Sequence, residues 1–509
     1  MVDAREYHER TNHSPQSVRS SNVRLDPGNK PRPYKIYENL PTYVPADSPD
    51  PPDVPVLSAI TPAEPDPSIA SDAGSDDPDI YTLCHYASGI TKTLERRGQP
   101  MRFRAASCTG KLYHVDLYAV TGDCGAVDPG IYHFDPDTDA FDVLREGDYR
   151  GVLADAAGRQ TGVTDAPVTF VLTSEWWRNA WKYRERTYRH AFWDSGTILA
   201  NLLAVAQGGG HRAEVVTGFA DDPVVDLLGL DPETEAPVEL VPVGSGEQVP
   251  DAPDVEPIDP EETALSESRE EYPIVPDAWR QSRLADGEAA REWRETVQEA
   301  APVGTNEPGD GDMIALDPVD AETASARPVG NTIERRGSLR EYSHEPMSAR
   351  KFATILDRAL RGIPTDSTAG HAPGGLVDAY CLVHAVEGIP SGAYQYHPGE
   401  NALERIGDTD RETAGHLALD QPVVGDTAVN VYLLADVDSA VETLGNRGYR
   451  LAQLEGGVAL GRLYLATYAH RGLGGRGFTF YDERVSEHLS PRADGQVPMT
   501  MFALGTPTA

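Results

Sequence analysis

The sequence Val115-Asp116-Leu117-Tyr118-Ala119-Val120 returns 262 residues later as Val377-Asp378-Ala379-Tyr380-Cys381-Leu382. Each copy is rich in Val, Leu and Tyr and predicts a buried strand. A second stretch, GIYHFDP at 130–136, returns as GAYQYHP at 392–398 with the same spacing. One spacing held by separate segments predicts two domains of one kind, fused in a single chain.

Single positions extend the repeat well beyond these strands. At a spacing of 261 residues the chain pairs Tyr188 with Tyr449, Arg189 with Arg450, Asp194 with Glu455, Gly196 with Gly457, and Gly244 with Gly505. The repeat therefore covers more than a hundred residues of each half, and differences between the copies mark where function is concentrated.

The boundaries follow from composition and from the repeat. We expect an N-terminal lead-in with a mobile acidic loop (1–79), a first repeat (80–244), an acidic Pro-rich connector with a helical segment (245–330) and a second repeat (331–509). Within the connector, Trp279 and Trp293 lie in a stretch with helical spacing that could dock on a folded half.

The order of elements in each repeat predicts the fold class. Long helices are expected at 189–206 and 451–469, and closing strands at 238–243 and 499–504. A strand expected at 380–385 belongs to the second repeat. Mixed elements of this kind predict an α+β fold, with helices around mainly antiparallel sheets.

The net charge and the search for apolar targeting segments limit the expected partners and compartment of the protein. The formal net charge is −37, and only six lysines are present among 44 basic residues. Such a surface repels nucleic acid and anionic lipid, and it is typical of a salt-adapted protein. No signal-peptide core or membrane-spanning run is evident, so we expect a cytoplasmic protein. Cysteine and histidine spacing gives no metal site.

Three segments could carry chemistry. Arg336, Ser338 and Arg340 suit a phosphate, because guanidinium forks and a hydroxyl bind its oxygens; the alternative is a solvated basic turn. Lys182 stands where this chain otherwise prefers arginine, beside Tyr183, and a lysine can exchange a proton whereas arginine cannot. The alternative is an ordinary helix start with cation–π packing.

The third segment is a run of small residues from Arg104 to Tyr113, through Ser107, Cys108 and Gly110. Small side chains let backbone amides approach a ligand closely. A strand-leading loop is the alternative. The glycine-rich run at 472–478, including Gly474, has the same character but lacks the context of a dinucleotide fingerprint.

Together the order and spacing of these segments resemble the nitroreductase superfamily of flavoproteins, and among them the SagB-type dehydrogenases, which include azoline oxidases. The family's R-R-S-x-R phosphate segment matches at Arg336, Ser338 and Arg340. Its R-x-x-P-S-A-G-x-L-Y-P segment matches at Arg104, Gly110, Leu112 and Tyr113. Its K-Y-x-E-R-x-Y-R segment matches at Lys182, Tyr183, Glu185, Arg186, Tyr188 and Arg189.

The departures from the family pattern divide between the halves. Gly337 replaces the second arginine, and Cys108 stands where the family has a hydroxyl. In the second repeat the Lys-Tyr positions align with Thr443 and Leu444, and the Arg104 position aligns with Asp366. The phosphate segment of the first repeat is replaced by residues 10–13. Because the resemblance implies interlocked dimers with flavin at the interface, we expect an intramolecular pseudo-dimer with one composite FMN site and one lost site.

The resemblance implies an FMN-dependent oxidoreductase in which flavin takes a hydride from carbon while Lys182 and Tyr183 move the proton. Its substrate would be a small molecule or a peptide, with a peptide azoline ring as one candidate. One alternative is a nitro or quinone reductase that uses NAD(P)H. Another is a flavin-free scaffold that binds a peptide or a partner enzyme in the interface groove. Further oligomerisation is left open.

Overall fold

The computed structural model describes residues 2–21, 24–60, 77–96, 98–125, 127–299, 308–320, 327–366 and 375–508. Part of the predicted mobile loop, residues 61–76, lies outside the described residues, as do 300–307 and 321–326 of the connector. No helix in the described ranges is both long enough and apolar enough to cross a membrane.

The helices are α1 Ala4–Arg10, α2 Pro15–Ser20, α3 Val56–Ala59, α4 Ile80–Ser88, α5 Arg150–Ala156, α6 Thr161–Thr164, α7 Trp176–Tyr183, α8 Thr187–Gly208, α9 Asp221–Leu228, α10 Ile274–Gln281, α11 Gly287–Glu299, α12 Val329–Arg335, α13 Ala349–Ala359, α14 Arg411–Leu417, α15 Pro422–Gly425, α16 Val437–Leu444, α17 Asn446–Ala469 and α18 Asp482–Leu489. The strands are β1 Thr42–Tyr43, β2 Ile90–Arg96, β3 Gln99–Arg104, β4 Val115–Thr121, β5 Gly130–Asp135, β6 Ala140–Glu146, β7 Val168–Glu175, β8 Glu235–Val243, β9 Met313–Ala315, β10 Asp378–Val383, β11 Gly392–His397, β12 Ala402–Gly407, β13 Val429–Ala435, β14 Gly474–Gly477 and β15 Val497–Gly505.

Two antiparallel sheets repeat one topology. The first has the order β1-β6-β5-β4-β7-β8, and the second has the order β14-β15-β13-β10-β11-β12-β9. Their registers also correspond: Val120 pairs with Ile131 and Thr169, and Leu382, its counterpart, pairs with Ala393 and Asn430. The sequence repeat is therefore a structural repeat. A separate hairpin, β2–β3, precedes the first repeat's loop of small residues.

The long helices α8 and α17 lie side by side at the centre. Nearly every residue of both helices is buried, as expected for helices covered on all sides. Their backbones come into close contact where Gly196 faces Gly457, since a Cβ added to Gly196 would overlap the Gly457 backbone. The repeated glycines thus permit the close packing that joins the halves.

Buried ion pairs connect the halves reciprocally. Arg189 of the first half contacts Asp482 of the second at 2.8 Å, and Arg186 contacts the same carboxylate at 3.0 Å. In return, the counterparts Arg447 and Arg450 contact Asp221 at 2.6 and 2.7 Å. The same interaction is made twice across the pseudo-twofold axis, as in an interlocked dimer.

The described parts of the lead-in and the connector contain more secondary structure than expected. Instead of a loose loop, residues 56–59 form α3, where Val56 and Leu57 are buried. The connector forms two helices, α10 and α11, and supplies the edge strand β9 to the second sheet. Trp279 and Trp293 are both buried, so the expected docking occurs, because each helix buries a large aromatic side chain against the repeats.

The predicted fold class, α+β with antiparallel sheets flanked by helices, is confirmed. The long helices and closing strands lie where expected, each slightly longer than its predicted core. One strand is displaced: the prediction of 380–385 is wrong by two residues, since β10 spans Asp378–Val383. Asp378, although acidic, is buried at the strand's start, a placement that hydrophobic patterning does not reveal.

Candidate active site

A junction between the two halves forms at Arg336. Its Nε donates to the carbonyl of Ala105 at 2.9 Å, and its Nη2 donates to the carbonyl of Arg104 at 3.0 Å. The guanidinium also lies 5.5 Å from the ring centroid of Tyr464. Arg336, the first residue of the phosphate segment in the second repeat, therefore binds the start of the loop of small residues in the first repeat.

The glycine-rich run joins the same junction. The amide of Leu339 donates to the carbonyl of Gly475 at 3.3 Å, and the Tyr468 hydroxyl donates to that carbonyl at the same distance. A Cβ added at Gly474 would lie 2.9 Å from the Leu339 side chain. Glycine at 474 therefore lets β14 pack directly against the segment that contains Ser338 and Arg340.

The loop of small residues is fastened from inside by Asp194. Its carboxylate accepts hydrogen bonds from the Thr109 amide at 2.9 Å, the Thr109 hydroxyl at 2.8 Å and the Cys108 thiol at 3.1 Å. His114 Nε2 also lies 3.0 Å from this carboxylate. Cys108 additionally accepts from the Tyr113 amide at 3.0 Å. The Cys108 sulfur thus takes part in folding the loop.

Tyr183 lies against the outer bend of the loop. Gly110 has φ +64° there, and a Cβ at this position would come within 2.8 Å of the Tyr183 hydroxyl. Tyr183 ends α7, after which Arg184 adopts φ 52° and the chain turns sharply. The Lys182 ammonium lies 4.9 Å from the Tyr183 ring centroid. Glycine at 110 is therefore required both by the backbone and by the tyrosine.

Burial and charge shift the proton affinities of this pair in opposite directions. Desolvation, followed by the charges of Lys30 and Arg476, lowers the pKa of Lys182. Burial, followed by the charges of Asp194 and Cys108, raises the pKa of Tyr183. Lys182 therefore releases its proton more readily than an exposed lysine, whereas Tyr183 keeps its hydroxyl proton at neutral pH.

Cations around the junction are left without acidic partners. Among the described residues, Arg336, Arg340, Arg476 and Lys182 form no ion pair, although the chain has 81 acidic residues. Arg476 is close enough to influence the pKa of both Lys182 and Tyr183. An uncompensated positive region inside a strongly acidic protein suits a phosphate or another anion.

The structure connects most, but not all, of the candidate residues. Contacts link Arg104, Cys108, Gly110, Tyr183, Lys182, Arg336 and Gly474. Ser107 contributes its carbonyl, which accepts from the Thr197 hydroxyl at 2.7 Å. Ser338 and Arg340 are exposed on the loop that follows α12. Arg336 itself is the residue that caps the carboxyl end of α12.

Sequence reasoning missed three participants. Asp194 lies on α8 and His114 lies just before β4, and the two side chains contact each other at the loop. Arg476 lies on β14, close enough to Lys182 to influence its pKa. The sequence signal for Asp194 was the repeat, which pairs it with a second acid, Glu455. In the structure Glu455 likewise accepts from a loop amide, that of Leu376. Arg476 lies in the glycine-rich run, where it is the only charged side chain between 472 and 478.

The equivalent place on the other side of the axis is built differently. Asp366 occupies the Arg104 position, and its carboxylate accepts from the amides of Thr217 at 2.7 Å and Gly218 at 3.0 Å. Trp293 of α11 donates from its indole nitrogen to the carbonyl of Leu444 at 2.9 Å. The connector helix therefore covers the position that corresponds to Tyr183.

Residues 10–13, which stand in the first half where the phosphate segment would lie, have a structural role. The Thr11 hydroxyl and the Asn12 amide oxygen accept from Arg189 at 2.9 and 2.7 Å, and the His13 amide donates to Asp482 at 2.7 Å. These residues therefore support the buried Arg189–Asp482 pair.

Comparisons with known proteins agree with this architecture. Residues 106–245 match the model of the Nitroreductase family. The chain is 28% identical over 205 residues to the protein named "Putative nitroreductase MJ1384" from Methanocaldococcus jannaschii, an alignment that covers 38% of this chain and 98% of that protein.

The fold also recurs in a crystal structure of a putative nitroreductase from Anabaena variabilis. That structure is 21% identical, covers 100% of both chains and superposes with a TM-score of 0.76. The chain thus has a nitroreductase-like fold across both halves, and residues 106–245 are similar to the Nitroreductase family.

Proposed function

We propose that the protein is an FMN-dependent oxidoreductase of the SagB dehydrogenase type, with one composite site per chain. The observation that carries the proposal is the junction at Arg336, where the second half holds the loop of the first half beside cations that form no ion pair among the described residues. Bound FMN would accept a hydride from a substrate carbon. The carbon belongs to a small molecule or peptide, for which an azoline ring is our candidate.

The residues present fit a flavin mononucleotide. Its phosphate needs cationic and hydroxyl donors. Arg340, Arg476 and Ser338 would provide these, and neither arginine forms an ion pair with an acid in the described part of the chain. Its ring system needs close backbone approach, which the small residues between Ala105 and Gly110 allow. In this arrangement Arg336 keeps the loop and the phosphate-binding segment together, and Cys108 keeps the loop folded.

Lys182 and Tyr183 would handle the proton that accompanies hydride transfer. Lys182, whose pKa is lowered by burial, would be the base that removes a proton from the atom next to the hydride-donating carbon. Tyr183, with a raised pKa, stays protonated and donates a hydrogen bond to the substrate. Tyr183 lies against Gly110 of the loop where the ring would bind, and the Lys182 ammonium lies 4.9 Å from the Tyr183 ring centroid.

The second site is proposed to be lost. Asp366 puts a carboxylate where Arg104 stands in the first half, and Trp293 of the connector contacts Leu444. Residues 11–13 are engaged in the Arg189–Asp482 interaction, so they are not available to a phosphate. These contacts support a stoichiometry of one flavin per chain.

The test is an absorbance spectrum of the purified protein, followed by release and identification of the chromophore. We expect a yellow protein that releases about one FMN per chain. Two FMN per chain would contradict the loss of the second site. A colourless protein that does not take up added FMN would contradict the proposed function, and rapid reduction by NAD(P)H alone would favour a nitro or quinone reductase.

A further inference from the structure

A large pocket opens next to the candidate active site. It has a volume of about 850 Å³ and lies between the β2–β3 hairpin, the lead-in and the loop of small residues. Arg104, Lys111 and Tyr113 of its lining belong to that loop. A pocket of this size accommodates a small organic molecule, and because it shares these lining residues with the loop it adjoins the candidate site.

The charge of this pocket is opposite to that of the protein. Its lining includes Lys30, Lys111, Arg102 and Arg104, with Asp137 as the acid among the lining residues. Asp137 is already paired with Arg102. In a chain with a net charge of −37, such a basic lining concentrates the attraction for anions at one place.

The two lysines are held by aromatic rings and not by acids. The Lys111 ammonium lies 4.4 Å from the ring centroid of Phe103, and the Lys30 ammonium lies 6.0 Å from that of Trp181. Neither lysine forms an ion pair with any acid that the structure describes. Cation–π contacts orient an ammonium while leaving its hydrogen-bond donors free, so both groups are available to an anionic ligand.

The lysines also influence one another. Burial, followed by the charge of Lys30, lowers the pKa of Lys111, and Lys30 lowers the pKa of Lys182 as well. Three of the chain's six lysines therefore gather where the pocket meets the candidate site. Like charges placed close together without counterions are costly unless a ligand supplies the opposite charge.

The remaining lining favours an apolar body for that ligand. Apolar and aromatic surface is contributed by Pro33, Tyr34, Ile90, Pro100, Met101 and Tyr113. A molecule with an apolar or aromatic part and one carboxylate would contact this surface while its charge meets the lysines.

We infer that this pocket binds a carboxylate-bearing, apolar-bodied organic substrate, and that Lys30 and Lys111 select its anionic group. The inference deepens the proposed function and rests on it, because it names the substrate class of the adjoining site. The apolar part of the molecule would extend along the hairpin wall, and Arg104 would lie in the wall that the pocket shares with the candidate site.

The test uses two redox-inert probes, 4-(trifluoromethyl)benzoate and its neutral analogue 4-(trifluoromethyl)benzamide. Their binding to the full chain is followed by fluorine NMR, with and without added FMN. We expect the benzoate to bind at least tenfold more tightly than the benzamide. In the Lys30→Gln/Lys111→Gln double variant the benzoate should weaken to the level of the benzamide, whose own binding should not change.

The matched control is Lys92→Gln, which removes an exposed lysine from the same hairpin outside the pocket lining; it should keep the preference. Equal binding of the two probes by the wild-type chain would overturn the inference, as would a preference that survives in the double variant. Displacement of the benzoate by FMN, or by NADPH but not NADH, would assign the pocket to a nucleotide and also overturn it.

The outcomes separate this inference from the proposed function. If the chain retains one FMN but shows no preference for the benzoate, the inference about the pocket is wrong and the proposed function stands. A chain that holds no FMN but prefers the benzoate in a lysine-dependent manner contradicts the proposed oxidoreductase, and leaves the pocket as an anion site.

Discussion

Tyr188 and Tyr449 stack on each other across the centre of the molecule, with ring centroids 6.4 Å apart and planes inclined by 21°. The two residues are equivalent positions of the sequence repeat, so their contact marks the pseudo-twofold axis. The Tyr188 hydroxyl also accepts from Arg450 Nε at 3.1 Å. One chain thus reproduces the interface of a symmetric dimer, in which a residue meets its own counterpart.

Replacing Arg336 tests the junction on which the composite site depends. In Arg336→Ala the loop loses two hydrogen bonds from the other half, and we expect FMN retention after desalting to fall from about one per chain to near zero. Arg336→Lys should restore little, because an ammonium lacks the planar fork that reaches two carbonyls. Arg335→Ala, an exposed neighbour, is the control. Tight FMN binding by Arg336→Ala would refute the assignment.

Replacing Lys182 tests the proton path. We expect Lys182→Ala to keep its flavin but to lower the single-turnover rate of flavin reduction by substrate about 100-fold, a typical contribution of a general base. Because the pKa of Lys182 is lowered, the wild-type rate should rise with pH and level off below the usual lysine value of about 10.4. Lys351→Ala is the control, and an unchanged rate would exclude the role.

Enlarging the glycine at the helix crossing tests the packing of the halves. A Cβ at Gly196 would overlap the backbone of Gly457, so Gly196→Ala should lower the free energy of unfolding by about 2 kcal/mol, as overpacked cores do. Urea unfolding measures the change. Gly399→Ala is the control, because no atom lies within 4 Å of an added Cβ there. Equal stability of both variants would show that the helices separate without cost.

Replacing Asp482 tests the reciprocal ion pairs. Asp482 pairs with Arg186 and Arg189, and these charges hold its pKa below the usual value despite burial. The contribution is therefore present above the unfolded-state pKa of about 3.9 and is lost as pH falls below it. Asp482→Asn should lose on the order of 3 kcal/mol at neutral pH. It should also show a smaller further loss in acid.

The control for this variant is Asp438→Asn, which removes an exposed partner of Arg5. We expect a change within about 0.5 kcal/mol, since exposed pairs contribute little. If both variants unfold at the same urea concentration at pH 7, the buried pair does not stabilise the joined halves.

Glu239 should make the protein less stable in alkali. Burial raises its pKa to about 8, and the Ser195 hydroxyl donates to it at 3.0 Å. Between the unfolded value of about 4.3 and this folded value the native state binds the extra proton, so stability falls by about 1.4 kcal/mol per pH unit as pH rises. Glu239→Gln should therefore be more stable than wild type at pH 8 and similar at pH 4. Exposed Glu412→Gln is the control; parallel pH curves for wild type and Glu239→Gln would contradict the shift.

Much of the fold was predictable because it rests on local patterns. The buried strands and long helices carry continuous hydrophobic or helical periodicity, and the repeat assigned equivalent elements to each half. The displacement of β10 arose where Asp378 begins the strand, since a buried acid interrupts the pattern that marks strand ends. Residues 56–59 were missed for a similar reason: a short apolar turn inside a Pro-rich stretch acquires order only from the core beside it.

By itself, the sequence determined that two copies of one α+β unit are joined and which positions correspond. These follow from spacing and side-chain character, which belong to the chain before it folds. Only the tertiary structure decided that Arg336 meets the carbonyls of Arg104 and Ala105, that Trp293 covers the opposite position, and that Lys30 approaches Lys182. These contacts depend on how the helices cross at Gly196 and Gly457. Segments hundreds of residues apart are brought together by packing and not by any local preference.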